Sequence, residues 1–373
     1  MKKILSLLIT LIAVNGFGQG LSKVDTGKID GVSYRILFPE NWKGKLLMYA
    51  HGYEFAGTPG HQSENPEWPD RMKVFTDRGF AVAASDYKFK GLALAQGVDD
   101  TEALRQYFIQ KYGQPDSVFV AGHSMGGGVT LATLENFGQF YQGGMPMCPL
   151  AGRMYLQTRK EFDLIATFNV LFPGQMPSLK EILTYNPEAK PADMRAAFGK
   201  AMEIQKAIFT QDSMGVVAFA KHFDLKPADV PFALAFGENV LRDVVQKSGG
   251  NPYDNTNTLY GRFENNELIN QKVERIAATA SQAAWFSKYD RTGDIDKPAL
   301  VLHTMYDQLI PADLAIIPYE NLIQQNGRQE HFVVKYTNGQ GHCNFTPAQT
   351  GQAFDELRTW VKTGKRAMPG YIE

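Results

Sequence analysis

Gly122-His123-Ser124-Met125-Gly126 is the feature that most restricts what this chain can fold into. It follows Ser117–Ala121 (SVFVA), a continuous apolar run that reads as a buried strand, and it opens into Gly126-Gly127-Gly128 and a helical pattern. In that setting G-x-S-x-G is an elbow between strand and helix that lifts a serine hydroxyl above the end of a sheet. Glycine flanks the serine because a Cβ there would collide within so tight a turn. The helix that follows brings its positive end close to the reacting oxygen. A chance Gly-Ser turn is the competing reading, and the strand, helix and glycine run together argue against it.

A serine hydroxyl is a weak nucleophile at neutral pH and needs a base. The chain has seven histidines, and the order expected after such an elbow is serine, acid, histidine. His331 opens the last strand pattern, HFVVKY, whereas His342 lies in the loop Asn338-Gly339-Gln340-Gly341-His342 just past it. Loops at that end of a parallel sheet line the ligand crevice, so His342 is the expected base. The acid should follow the preceding strand, Ala299–His303 (ALVLH). Asp307 is the first carboxylate there; Asp294 and Asp296 precede the strand, and Asp313 reads as a helix cap. The oxyanion formed on attack needs N–H donors. Met125 N–H is one, and Tyr53 N–H in His51-Gly52-Tyr53 is the other, with Gly52 N–H as the alternative. His51 is then a structural residue that holds the loop.

Around these residues strands alternate with helices, which implies a mostly parallel sheet covered on both faces. Strands are expected at Val32–Phe38, Leu46–Ala50, Phe80–Ala84, Ser117–Ala121, Gly144–Met147, Ala299–His303 and His331–Tyr336. Helices are expected at Glu102–Tyr112, capped from Asp99-Asp100-Thr101, at Ala312–Asn326 and at Pro347–Thr363. Between about Ala151 and Asp294 the alternation stops. Glu161–Phe172, Ala192–Phe209 and Leu268–Lys288 read there as helices of an insertion over one sheet edge. Phe168, Phe172, Phe209, Trp285 and Phe286 line an acyl pocket or, as such residues more often do, fill a core. Asn251–Thr256 reads as a loop at the cleft rim, and Asp290–Asp296 as a solvated linker whose spacing does not fit an EF-hand.

These residues resemble an α/β-hydrolase over Leu46–Ala151 and Ala299–Trp360, with His51-Gly52, Gly122–Gly126, Asp307 and His342 in matching order. The resemblance implies an eight-stranded, mainly parallel sheet with a helical cap between strands six and seven. The expected division is a signal peptide at 1–18, core at 19–150, cap at 151–294 and core at 295–373. It also implies acyl transfer through an acyl-enzyme without cofactor, and the core is most similar to secreted bacterial carboxylesterases and related serine peptidases; no HExxH or paired Cys/His spacing points to metal catalysis. Feruloyl esterases and tannases of this superfamily resemble the chain in having a cysteine beside the histidine, here Cys343, bridged to one beside the serine. This chain departs from them there, since His123 and Met125 flank Ser124. Cys148, at the end of the next strand, could reach Cys343 instead; two buried free thiols are the alternative.

Lys2 and Lys3 precede the apolar run Ile4–Val14, with small residues at Gly16 and Gly18, the pattern of a secretory signal peptide of bacterial type. A buried first helix is the alternative. Export to the periplasm or medium is expected, with no membrane-spanning segment after processing. Lys+Arg 38 against Asp+Glu 39, net charge -1, with no basic run, makes nucleic acid a poor partner. The expected substrate is a small ester, aryl or feruloyl-type included. A peptidase, aminopeptidase or amidase on the same frame is the second reading, with Glu264 and Glu267 as candidates for holding a substrate amine. A binding module on a dead hydrolase scaffold is the third, disfavoured because each triad position is filled.

Overall fold

Strands β1 (Leu21–Ile29) and β2 (Val32–Pro39) form an antiparallel hairpin in the computed structural model, which describes residues 20–279 and 283–373. Asp30 and Gly31 turn it with positive φ of 48° and 85°, as the twist of a two-residue hairpin requires. The signal peptide expected at 1–18 lies outside the described residues. The hairpin runs antiparallel onto β4 (Phe80–Ser85), which is followed in parallel by β3 (Lys45–Ala50), β5 (Ser117–His123), β6 (Gly143–Met147), β7 (Ala299–Tyr306), β8 (Phe332–Gln340) and β9 (Gly370–Ile372). The sheet therefore has nine strands, not eight. Two of them were not among the strands read from the sequence: β1, which is largely exposed and so has no apolar run, and β9, which has only three residues.

Both faces of the sheet are covered, which is why its strands read as unbroken apolar runs. On one face α1 (Trp68–Thr76) and α11 (Pro347–Thr363) pack Trp68, Phe75, Phe354 and Trp360 against Leu47, Val82 and Leu300. On the other lie α2 (Leu94–Tyr112), α3 (Met125–Phe137) and α10 (Ala312–Gln325), through Phe108, Leu131 and Ile316. Helix α2 starts at Leu94 without a side-chain cap, earlier than Asp99-Asp100-Thr101 suggested, because Leu94 and Val98 are themselves buried. Pro311, not Asp313, holds the cap position of α10, and Asp313 lies in its first turn.

Between β6 and β7 run α4 (Met154–Leu171), α5 (Leu179–Ile182), α6 (Met194–Gln211), α7 (Ser213–His222), α8 (Val230–Ser248) and α9 (Asn266–Lys272). Their apolar faces form one cluster that continues onto Tyr87 just past β4 and Met125 and Val129 of α3, so the helical block is packed directly above the elbow. The helix expected over Leu268–Lys288 ends at Lys272, since residues 273–279 are extended and tied to a polar loop instead. Asn255 N–H donates to Ile276 O at 3.0 Å, and Thr279 N–H donates to Asn251 O at 3.0 Å. Asn251–Thr256 is thus an internal brace with Tyr253 and Asn255 fully buried, not a cleft rim. The stretch Asp290–Asp296 is no free linker either. Arg291 is buried, its guanidinium donating to Gly128 O, and Gly293 N–H donates to Glu135 at 2.8 Å. Among the described residues no helix is long and apolar enough to cross a membrane.

Candidate active site

The elbow forms where β5 ends and α3 begins, with Ser124 at φ 59° and ψ -122°. A non-glycine residue in that region carries strain of about 1–3 kcal/mol, held only because its surroundings fix it. Ser124 N–H donates to Met147 O at 2.9 Å, and Ser124 O accepts from Gly128 and Leu150 N–H, each at 3.1 Å. A Cβ on Gly126 would strike the Ala50 carbonyl, so the bare backbone there lets α3 sit close against β3. Ser124→Gly should release the strain, and its melting temperature should exceed that of Ser124→Ala; an equal or lower value would mean the strain is absent.

His342 lies two residues beyond β8 in a loop fixed at several points. Its N–H donates to Gln308 Oε1 at 2.9 Å, and Gly341 N–H donates to Tyr306 O at 2.9 Å. The ring bridges the other two side chains. Ser124 Oγ lies 2.8 Å from His342 Nε2, and His342 Nδ1 lies 2.8 Å and 3.0 Å from the two oxygens of Asp307. The carboxylate fixes the proton on Nδ1, leaving Nε2 to accept from the serine hydroxyl. Asp307 is buried, and its Oδ1 also accepts from Leu309 N–H at 3.0 Å and Ile310 N–H at 2.8 Å. Burial pushes its pKa up, but the hydrogen bond and charge of His342 outweigh that and hold it below the ordinary value. Asp294 is elsewhere, paired with Arg328 at 2.7 Å. Two residues absent from the sequence expectations brace this loop. Lys160 of α4 donates to Gln308 O and Leu309 O at 3.2 Å and 3.1 Å, and buried His303 faces Thr304 O and Ile310 O at 2.8 Å and 3.0 Å.

Tyr53 and Met125 both line the cleft with Ser124 and His342. Met125 is the first residue of α3, where an N–H has no acceptor within its own helix. Tyr53 N–H has no acceptor among the described residues. Gly52 approaches so closely that a Cβ on it would lie 3.3 Å from Ser124 Cβ. His51 is buried, stacked on Tyr87 with ring centroids 3.8 Å apart, and its Nδ1 faces Gly52 O at 2.8 Å. His123 turns away from the cleft toward the Tyr49 hydroxyl, 2.9 Å from its Nδ1. Burial, aided by the charge of His342, lowers its pKa to about 4 and keeps it neutral.

Cys148 and Cys343 are joined in a disulfide, with Cα atoms 5.3 Å apart, that ties the end of β6 to the residue after His342. Cys148, His342 and Cys343 bring potential metal donors within 4.8 Å of one another, but bridged sulfurs offer no thiolate and His342 is already engaged on both nitrogens. The bridge spans 195 residues of sequence. Replacing both cysteines by serine should therefore lower the unfolding free energy by about 2–4 kcal/mol, read from the denaturant midpoint. An unchanged midpoint would mean that the bridge does not constrain the unfolded chain.

The cleft over Ser124 has a cavity volume of about 40 Å³ and is walled by Leu92, Leu150, Phe236, Val240, Leu309 and Ile310, with Gln157, Thr158 and Glu161 of α4 among its polar groups. None of the aromatic residues proposed from sequence lines it. Phe168 and Phe172 stack on each other in the core of the helical block, Phe209 is exposed, and Trp285 and Phe286 border a separate hollow at Leu94 and Met154. Glu264 and Glu267 are exposed, away from the serine. The helical block contributes Phe236 and Val240 of α8 and Gln157, Thr158 and Glu161 of α4 to the cleft. Their one legible signal is the charged run Arg159-Lys160-Glu161, followed by Asp163, of which Lys160 and Glu161 are buried.

No protein-family model matches the chain. A curated relative, o-phthalyl amidase of Xanthobacter agilis, is 23% identical over 406 aligned residues, 90% of this chain and 86% of the relative. Among solved structures, the esterase Pf2001 of Pyrococcus furiosus aligns with a TM-score of 0.48 at 12% identity, over 96% of this chain and 97% of that one. Est1E of Butyrivibrio proteoclasticus aligns at 0.43 and 13%, over 91% and 99%. The acylaminoacyl peptidase of Pyrococcus horikoshii aligns at 0.44 and 11%, over 95% of this chain but only 43% of that one. The mainly parallel sheet, its strand order and the serine elbow after β5 are those of an α/β-hydrolase fold.

Proposed function

We propose that this chain is a serine hydrolase that cleaves small carboxylic esters through an acyl-enzyme. The observation that carries the reading is the unbroken hydrogen-bond chain from Asp307 through His342 to Ser124 Oγ. Ser124 Oγ attacks the carbonyl carbon while His342 Nε2 takes its proton, and Asp307 stabilises the resulting imidazolium. Backbone N–H groups of Met125 and Tyr53 hold the oxyanion. His342 then returns the proton to the departing alkoxide, and water repeats the sequence to release the acid. The cleft, with a cavity volume of about 40 Å³, is far tighter than an ordinary ligand pocket and favours a small acyl group, and the helical block acts as its cap.

Amide hydrolysis is the second reading, favoured by the amidase relative that spans 90% of this chain. The same residues serve, with the returned proton now needed for an amine to leave. A panel of p-nitrophenyl esters and matched acyl p-nitroanilides separates the two. Turnover of short-chain esters well above the anilides is expected, and the reverse preference would establish the amidase. A fluorophosphonate probe that fails to label the folded protein would reject both. Export is part of the proposal: the basic and apolar N-terminal pattern and a disulfide beside the active site both suit an oxidising compartment.

A further inference from the structure

Of the three α4 polar groups in the cleft, Gln157 and Thr158 donate to Leu314 O and Met154 O, while Glu161 has a buried oxygen with no hydrogen-bond partner. Glu161, on the first half of α4, is 5% exposed and lines the same cleft as Ser124 and His342. Its Oε2 has no hydrogen-bond partner, and its Oε1 lies 3.9 Å from Lys160 Nζ, beyond hydrogen-bond reach. That lysine is already committed to the carbonyls of Gln308 and Leu309. On the facing helix α8, Gly237 abuts the carboxylate, and a Cβ there would lie 2.7 Å from Oε2. Glycine thus admits the carboxylate at that place, where any side chain would displace it. A buried acceptor left unsatisfied is unfavourable by about 1–3 kcal/mol, more when charged, so one that faces a substrate cleft calls for a partner to account for it. Burial also pushes the carboxyl upward from its ordinary pKa, as expected for an unpaired acid in apolar surroundings.

We propose that Glu161 Oε2 is a substrate-recognition site that accepts a hydrogen bond from an N–H or O–H group on the acyl part of the substrate. This rests on the serine hydrolase reading and narrows it. The acyl group is small and mostly apolar, matching Leu92, Val240 and Ile310, with one donor set away from the scissile carbonyl. An ammonium and a hydroxyl offer the same donor, and they are distinguished by charge.

Arylboronic acids, which add reversibly to an active serine, provide the test. Inhibition of p-nitrophenyl acetate hydrolysis is measured with the meta and para series of tolyl-, hydroxymethylphenyl- and aminomethylphenylboronic acid, on the wild type and on Glu161→Gln and Glu161→Met. In the wild type, a donor-bearing inhibitor should bind at least about tenfold tighter than its tolyl counterpart, equivalent to about 1.4 kcal/mol. Glu161→Met should erase that preference while leaving tolyl binding unchanged or tighter. Glu161→Gln, whose amide oxygen still accepts, should retain the preference for hydroxymethyl but not one for aminomethyl that depends on charge. No preference in the wild type, or one that survives Glu161→Met, overturns the proposal. Fluorophosphonate labelling of Ser124 in each protein separates this from the wider reading: labelled enzyme without the preference rejects the role of Glu161 alone, while unlabelled wild type rejects the hydrolase and this inference together.

Discussion

Ser124→Ala should lower kcat for p-nitrophenyl acetate by a factor of at least about a thousand and abolish fluorophosphonate labelling. The size follows from chemistry. Without Oγ no acyl-enzyme forms, and His342 has only water to activate, in a cleft shaped to hold an acyl group over the serine. The substitution removes one hydrogen bond, to His342 Nε2, and leaves the backbone bonds of Ser124 to Met147, Gly128 and Leu150 intact. The thermal midpoint should therefore move by only a few degrees, which distinguishes lost chemistry from lost folding. Turnover within tenfold of wild type in a preparation free of contaminating esterase would remove Ser124 as nucleophile.

Asp307→Asn should lower kcat by about a thousand- to ten-thousandfold with little change in KM. An amide NH₂ in place of the carboxylate donates to His342 Nδ1. The ring proton then moves to Nε2, where it blocks acceptance from the serine hydroxyl. The same substitution tests electrostatics through stability. Because the folded pKa of Asp307 lies below its ordinary value of 3.8, the carboxylate contributes stability that is fully present above that value and is lost as pH falls through the folded one. Acid unfolding curves of wild type and Asp307→Asn should thus converge as pH drops below about 4. A gap that stays constant across that range would show that Asp307 is not held in its charged form by the fold.

How much of this was legible depends on whether a residue's role is set by its neighbours in sequence. The elbow was legible because its turn demands glycine on both sides of one serine, whatever packs above. Asp307 and His342 were legible because each follows a buried strand, and side chains after parallel strands converge at one edge of the sheet. Helix α9 was overextended because residues 273–279 carry a helical pattern but give their backbone bonds to Asn251 and Asn255, a choice made by tertiary contact. The aromatic pocket failed for a related reason. Phe168 and Phe172 belong to the interior of a helical block thick enough to have its own core.

From sequence alone came most of the sheet, the order of its loops and the choice of Ser124, Asp307 and His342 as side chains that meet at its carboxyl end, because each lies within a few residues of a strand end. Folding alone decided what stands over the serine: α4 and α8 cross so that Glu161 meets the space beside Gly237, while Cys148 meets Cys343 across 195 residues. Contacts between helices depend on crossing angle and register, which no local pattern carries, so the residues that would choose a substrate emerge only when the chain is packed.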